Sequence, residues 1–253
     1  MVNSKKLRTF APAYKQTDRD LAQLVAHTSG GREVAGSSPV IPTKTEKDEH
    51  KHMLVLFSVK KGMSKNLYII SGCNGAGKTT ASYTVLPEIL NCKEFVNADE
   101  IARGLSPFNP ESVAIEAGRL MLQRIEYLLA KDESFSIETT LASKSYINLV
   151  RKAQAQGYSV KLLFFWLKNP ELAKFRVAER VAKGGHNIPE DVIKRRYVAG
   201  ITNLFNLFMN EVDSWVIFDN SENPRKLIAS GGRNADTVID EEMLFSMIKS
   251  YVK

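Results

Sequence analysis

Gly72-Cys73-Asn74-Gly75-Ala76-Gly77-Lys78-Thr79 decides how this chain is read, because it spells GxxxxGK[ST] between two segments of different periodicity. Before it, Asn66-Leu67-Tyr68-Ile69-Ile70 is a short apolar run suited to a strand; after it, Thr80 to Leu90 follows a helical pattern. A strand, a Gly-rich turn and a helix in that order make a phosphate cradle. The glycines let backbone N–H groups turn inward, and the helix adds the positive end of its dipole. In such a loop, Gly72 to Thr80 surround the phosphates, Lys78 reaches the β- and γ-phosphates, and the Thr79 hydroxyl ligates Mg²⁺. A Gly-rich turn with an accidental Lys-Thr is the alternative, and the flanking pattern argues against it.

Composition narrows the class. No apolar run is long enough to span a bilayer, and the N-terminus lacks the basic-then-apolar order of a signal peptide, so a cytoplasmic protein without membrane contact is expected. Cys73 and Cys92 are the only cysteines, one of them inside the Gly-rich loop, which speaks against a disulfide framework. Of four histidines only His186 lies beyond residue 52, leaving no His/Cys cluster for zinc in the second half. The net charge of +7 is uneven: residues 1–62 hold eleven Lys/Arg against six Asp/Glu, so only +2 belongs to residues 63–253. With no basic-aromatic stripe in that part, nucleic acid is not expected as a partner.

Residues 1–62 read as an extension and 63–253 as the folded domain. The extension has no sustained periodicity, carries Gly30-Gly31 and Gly36-Ser37-Ser38-Pro39, and runs into a charged stretch from Lys44 to His52. Leu21-Ala22-Gln23-Leu24-Val25 is what one frame of a tRNA D-arm encodes, and Gly36-Ser37-Ser38-Pro39 is what the same frame of a T-arm encodes. Residues up to about Thr43 therefore read as a translated tRNA gene, with the start at Met53 or Met63; an ordinary disordered tail is the alternative.

From Met63 onward strands and helices alternate. Strands are expected at Asn66–Ser71, Glu94–Asn97, Phe135–Glu138, Val160–Leu167 and Trp215–Phe218, with weaker ones at Lys226–Ala229 and Thr237–Ile239. Helices are expected at Thr80–Leu90, Glu111–Ala130, Ser143–Gln156, Pro170–Lys183 and Pro189–Glu211. Near-continuous apolar strands with intervening helices predict an α/β three-layer fold around a mostly parallel sheet, with ligand chemistry at the carboxyl ends of the strands.

Asp99, in Asn97-Ala98-Asp99-Glu100 after the second strand, falls on the nucleotide side of that sheet. There a carboxylate can take the proton of an attacking hydroxyl or hold Mg²⁺; it can also cap a helix over Glu100–Gly104. Glu138, Thr139 and Thr140 finish the third strand in groups suited to a polyol or sugar, although either threonine could cap the next helix. Arg176 to Asp191 reads as a helix end, a Gly184-Gly185 hinge and a new helix opened by Pro189, the pattern of an Arg-bearing lid or of a solvated charged helix. In that second helix Ile193, Tyr197, Ile201, Leu204 and Phe208 form the apolar stripe, which turns Arg195 outward and leaves Arg196 beside the cleft. His186 could touch a phosphate or cap the hinge, and Asp219-Asn220-Ser221 could meet the nucleotide base or form a turn.

Taken together, Gly72 to Thr80, Asn97-Ala98-Asp99-Glu100, Ile137-Glu138-Thr139-Thr140, Arg180, Gly184-Gly185-His186-Asn187-Ile188-Pro189 and Asp219-Asn220-Ser221 resemble the zeta toxin family of P-loop kinases, over essentially all of residues 65–230. The resemblance implies a nucleotide- and shikimate-kinase-like fold. It also implies ATP or GTP with Mg²⁺, phosphorylation of the 3′-hydroxyl of the amino sugar in UDP-N-acetylglucosamine, and a small antitoxin as partner. By the same resemblance Lys78 binds the phosphates, Asp99 is the catalytic base, and Arg180 with Arg196 clamps the transferred phosphoryl group; read from the residues themselves, Thr79 and Asp99 are also the expected metal side. The resemblance assigns Glu138 and Thr140 to the sugar nucleotide; Asn97 and Thr139 beside them are expected at the acceptor, and Asp219 and Asn220 at the nucleotide. The Gly-Gly-His-Asn-Ile-Pro lid departs toward shorter chromosomal homologues, so the alternative is a P-loop ATPase or a kinase with a different acceptor and no toxicity. An interaction module with a vestigial loop is disfavoured by the intact Gly77-Lys78-Thr79 and Asp99.

Overall fold

The computed structural model describes residues 65–252 apart from Ile89 and His186. The 1–62 extension, its two candidate start codons and the contacts of His186 lie outside the described residues.

The sheet grows from β1 (Asn66–Gly72), whose seven residues are all buried, as a strand covered on both faces must be. β4 (Ser159–Trp166) pairs with it on one side and β3 (Phe135–Thr139) on the other, both parallel. β2 (Glu94–Val96) extends the sheet beyond β3, and β5 (Ser214–Asp219) extends it beyond β4, again in parallel. The two weaker candidates also form: β6 (Lys226–Gly232) and β7 (Ala235–Ile239) add an antiparallel margin, giving the order β2-β3-β1-β4-β5-β6-β7. Every residue of β7 is exposed, in keeping with an edge strand.

Because β1 to β5 run the same way, their carboxyl ends share one edge, and successive connections diverge to either side of β1. That divergence opens a crevice just beyond β1, where doubly wound sheets bind ligands. The helices are α1 (Lys78–Glu88), α2 (Ala98–Leu105), α3 (Ala114–Ala130), α4 (Tyr146–Ala155), α5 (Pro170–Ala182), α6 (Glu190–Asn203), α7 (Met209–Glu211) and α8 (Glu242–Lys249).

The expected Pro189–Glu211 helix is α6, a π-helical turn at Leu204–Phe208, and the short α7. Its stripe of Ile193, Tyr197, Ile201, Leu204 and Phe208 is buried throughout. The expected Glu111 start is a 3₁₀ turn, Pro110–Val113, that leads into α3. The C-terminal α8 packs Phe245 against Phe205, ring centroids 5.6 Å apart. Among the described residues no helix is long and apolar enough to cross a membrane.

Candidate active site

The Gly-rich loop leaves β1 under close backbone constraint. Gly72 has φ +141°, and a β-carbon there would lie 2.2 Å from the Phe165 carbonyl oxygen. Gly77 has φ +78° and would meet Asn220 Nδ2 at 2.6 Å. These positions require glycine for both conformation and space. The turn is closed by Ala76 N–H donating to Cys73 O at 3.2 Å, and α1 follows at once with Ala81 N–H donating to Gly77 O at 3.0 Å. The loop is also braced from outside: Asn220 Nδ2 donates to Ala76 O at 2.8 Å, while Arg176 forks onto the carbonyls of Asn220 and Ser221 at 2.8 and 2.9 Å. Burial pushes the Cys73 thiol up to about 12, so this loop residue stays protonated at neutral pH.

Lys78 is buried and donates to Cys73 O at 3.0 Å, with Glu138 Oε1 3.5 Å from its ammonium. The same carboxylate accepts from the Thr79 hydroxyl at 2.8 Å and from Asn97 Nδ2 at 2.9 Å, both on Oε2. Three residues read separately in the sequence thus converge on Glu138. The register explains it: Glu138 stands opposite Ile70, two residues before the loop begins, on the strand next to β1. Thr79 and Glu138 are hard oxygen donors of the kind Mg²⁺ prefers, and their shared hydrogen bond brings them close enough to serve one ion.

Asn97, rather than Asp99, caps α2, accepting from Asp99 N–H at 2.8 Å and Glu100 N–H at 3.4 Å. The capping alternative for Asp99 is thereby removed. Asp99 is the second residue of the helix, and its exposed side chain lines a cavity of about 280 Å³ together with Arg103, Glu111, Arg180, Asn187 and Arg196. Glu100, which does not line that cavity, pairs with Arg103 at 3.0 Å. Arg196 NH1 donates to Asn74 Oδ1 at 3.4 Å, so this cavity meets the loop through that arginine, whereas Arg195 is exposed. Arg180 lines both this cavity and a basic neighbour with Arg103, Arg176 and Lys183.

The Gly184-Gly185 pair, expected as a hinge, is a closed helix cap. Gly184, at φ +84°, donates to Val181 O and Gly185 donates to Arg180 O, both at 2.9 Å, the double bond pattern of a Schellman ending. A β-carbon on Gly185 would lie 2.5 Å from Arg180 Cγ, so this cap also packs directly against Arg180.

Neither Thr139 nor Thr140 caps the next helix, whose start at Tyr146 has no side-chain cap. Thr139 is buried and its Oγ1 accepts from Leu141 N–H at 3.1 Å. Leu141 has φ +59°, an unusual conformation for a bulky residue, and its carbonyl accepts from buried Asn203 Nδ2 at 2.8 Å. Thr140 is half-buried beside α6, and Thr80 is exposed on α1. Asp219 closes a turn through Ser221 N–H at 2.8 Å, which accounts for its position without a ligand. Arg176 and Asn203 have structural roles at the site that no local pattern announced, since their partners are carbonyls 44 and 62 residues away.

Among the described residues no group of three or more His, Cys, Asp or Glu is placed to hold a metal ion.

Comparison with known proteins bears on the family and the fold. A family model described as zeta toxin matches residues 55–226. An uncharacterized protein of Haemophilus influenzae is 30% identical over 135 residues, covering 53% of this chain and 94% of the relative. Among solved structures, the AvrRxo1-ORF1:AvrRxo1-ORF2 complex with sulphate ions superposes with a TM-score of 0.63 at 17% identity, covering 88% of this chain and 80% of the other. The same complex with ATP gives 0.61 at 17% identity, with 88% and 80% covered. The PezAT chromosomal toxin-antitoxin system of Streptococcus pneumoniae gives 0.54 at 17% identity, with 83% and 95% covered. The match of the family model across most of the described residues places this chain in the zeta toxin family of P-loop kinases.

Proposed function

We propose that the protein transfers the γ-phosphoryl group of ATP to a hydroxyl of a sugar nucleotide such as UDP-N-acetylglucosamine, and acts as the toxin of a toxin–antitoxin pair. The observation that carries this reading is the cavity shared by Asp99, Arg180 and Arg196, joined to the phosphate loop through the Arg196–Asn74 contact. Asp99 and Glu111 with Arg103, Arg180 and Arg196 line one space beside the loop, so carboxylates and guanidinium groups meet there as phosphoryl transfer requires, rather than nucleotide binding alone. Solved relatives in complex with ATP and in toxin–antitoxin systems support the nucleotide and the partner.

In this reaction Asp99 accepts the proton of the acceptor hydroxyl as its oxygen bonds to the γ-phosphorus and the bond to the β-phosphate oxygen breaks, releasing ADP. Lys78 contacts the γ-phosphoryl oxygens, while Arg180 and Arg196 stabilise the charge spread over the transferring group. Thr79 would hold Mg²⁺, which when bound neutralises charge on the β- and γ-oxygens.

Lys78→Ala should abolish transfer with loss of nucleotide affinity. Asp99→Asn should leave nucleotide affinity near wild type and slow turnover by about two to four decades, the range for a lost general base. Near wild-type turnover in Asp99→Asn would remove Asp99 from this role.

A further inference from the structure

We propose that Asn203 is a positioning residue for the acceptor: by holding the Leu141 carbonyl it sets the conformation of the β3 exit, the segment between the phosphate loop and the Asp99 helix. The proposal rests on the phosphotransferase reading above. In the order β2-β3-β1 the strand β3 lies between the other two. The chain leaving it at Thr139, Thr140 and Leu141 therefore emerges between the loop that follows β1 and the helix α2 that follows β2. An acceptor hydroxyl has to lie between the γ-phosphate and the group that takes its proton, so the β3 exit borders the acceptor's place.

That exit is held in a conformation it would not keep by itself. Leu141 has φ +59°, a left-handed backbone that disfavours a bulky side chain and persists only where the surroundings fix it. Three contacts do so. Its N–H donates to Thr139 Oγ1 at 3.1 Å, its carbonyl accepts from Asn203 Nδ2 at 2.8 Å, and its side chain is fully buried. Asn203 is itself only 4% exposed. An apolar side chain would fill the same space without burying an amide, so the amide answers to the Leu141 carbonyl.

The same face of α6 reaches the phosphate loop. At 3.6 residues per turn Arg196, Gly200 and Asn203 fall within about 60° of one another. Arg196 donates to Asn74, Gly200 packs against the Thr140 carbonyl with no room for a β-carbon, and Asn203 holds Leu141. The π-helical turn begins at Leu204, so the α-helical spacing of these three contacts is unbroken; such turns recur at functional sites. The phosphate loop has further braces of its own in Asn220 and Arg176. Without the Asn203 amide, Leu141 should relax and turn the Thr140 backbone with it, which disturbs the acceptor's place and leaves the nucleotide's intact.

The experiment measures acceptor KM with UDP-N-acetylglucosamine, and nucleotide Kd by titration of a fluorescent ATP analogue, for wild type, Asn203→Ala, Thr139→Val and the double variant. Asn203→Ala should raise acceptor KM about tenfold, the worth of one hydrogen bond, with nucleotide Kd within about twofold of wild type. Thr139→Val removes the other brace on Leu141 at nearly constant shape and should raise KM likewise, which keeps the test alive should Asn203→Ala fold poorly. Because both act through Leu141, the double variant should be little worse than either single one. An unchanged acceptor KM in either folded single variant would make its contact purely structural and overturn the proposal. An equal loss of nucleotide affinity would overturn it as a general loosening of the site. Additive or larger effects in the double variant would overturn it by giving the two residues separate routes. If wild type binds the analogue but transfers nothing to this acceptor or any other sugar nucleotide, the phosphotransferase reading itself falls, and this proposal falls with it.

Discussion

Arg196 on α6 reaches Asn74 of the phosphate loop at 3.4 Å, across 122 residues of sequence, while Arg195 next to it is exposed. The helical phase set by the buried Ile193, Tyr197 and Ile201 selects which of the two arginines enters the cleft. A guanidinium at this distance from a neutral amide gains little in the resting state, so its main contribution belongs to a more highly charged species. Arg196→Lys keeps the charge and loses the planar fork, and should lower kcat with little change in nucleotide Kd. Arg195→Lys should be silent. Steady-state kinetics of the two variants check this, and the reverse pattern would reassign the clamp.

Gly200 makes a second link between α6 and the site. A β-carbon there would lie 2.5 Å from the Thr140 carbonyl oxygen, a backbone atom that cannot swing aside. Alanine ordinarily favours a helix by about 1 kcal/mol over glycine, but overpacking against backbone costs about 1–3 kcal/mol and should win. Gly200→Ala should therefore lower the denaturation midpoint. Asn203→Ala should do the same by leaving the Leu141 carbonyl unpaired, at a cost of about 1–3 kcal/mol. Urea unfolding of both variants measures the effect; an unchanged or raised midpoint for Gly200→Ala would show that the helix can shift away from the β3 loop.

The parts of this architecture that were legible in the sequence are those set by neighbours in the chain. The Gly72–Thr79 loop, the buried runs of β1 and β4 and the stripe of α6 each follow from local spacing. Glu138 shows the limit of that reading: its residue type was visible, but its partners Thr79, Asn97 and Lys78 are brought to it by the β1–β3 pairing. The Asn97 cap was missed because Asp99 is an equally good capping residue, and only the start of α2 at Ala98 separates them. The Gly184-Gly185 pair was read as a hinge because glycine marks flexible segments and Schellman caps alike. The π-helical turn at Leu204–Phe208 left the apolar stripe intact and so gave no signal of its own.

The two cysteines predict how stability responds to alkaline pH. Burial pushes Cys73 up to about 12 and Cys92 up to about 11, against an ordinary value of 9.0. Below pH 9 folded and unfolded chains both carry these protons, and the stabilisation is complete. Above it the unfolded chain releases them while the native one keeps them, so each thiol removes up to about 1.4 kcal/mol of stability per pH unit until its native value is passed. Urea midpoints should therefore fall between pH 9 and 11, and the double variant Cys73→Ala, Cys92→Ala should show a shallower fall. Equal slopes in the two proteins would contradict the burial argument.

The measurement that bears most directly on the proposed phosphotransfer is the mass of its products. Protein incubated with ATP, Mg²⁺ and a panel of sugar nucleotides, sugars and nucleosides should add one phosphoryl group to a sugar nucleotide, with matching release of ADP. The Lys78→Ala variant should yield no such product. Release of ADP and free phosphate with every acceptor returned unmodified would contradict the account and leave an ATPase in its place.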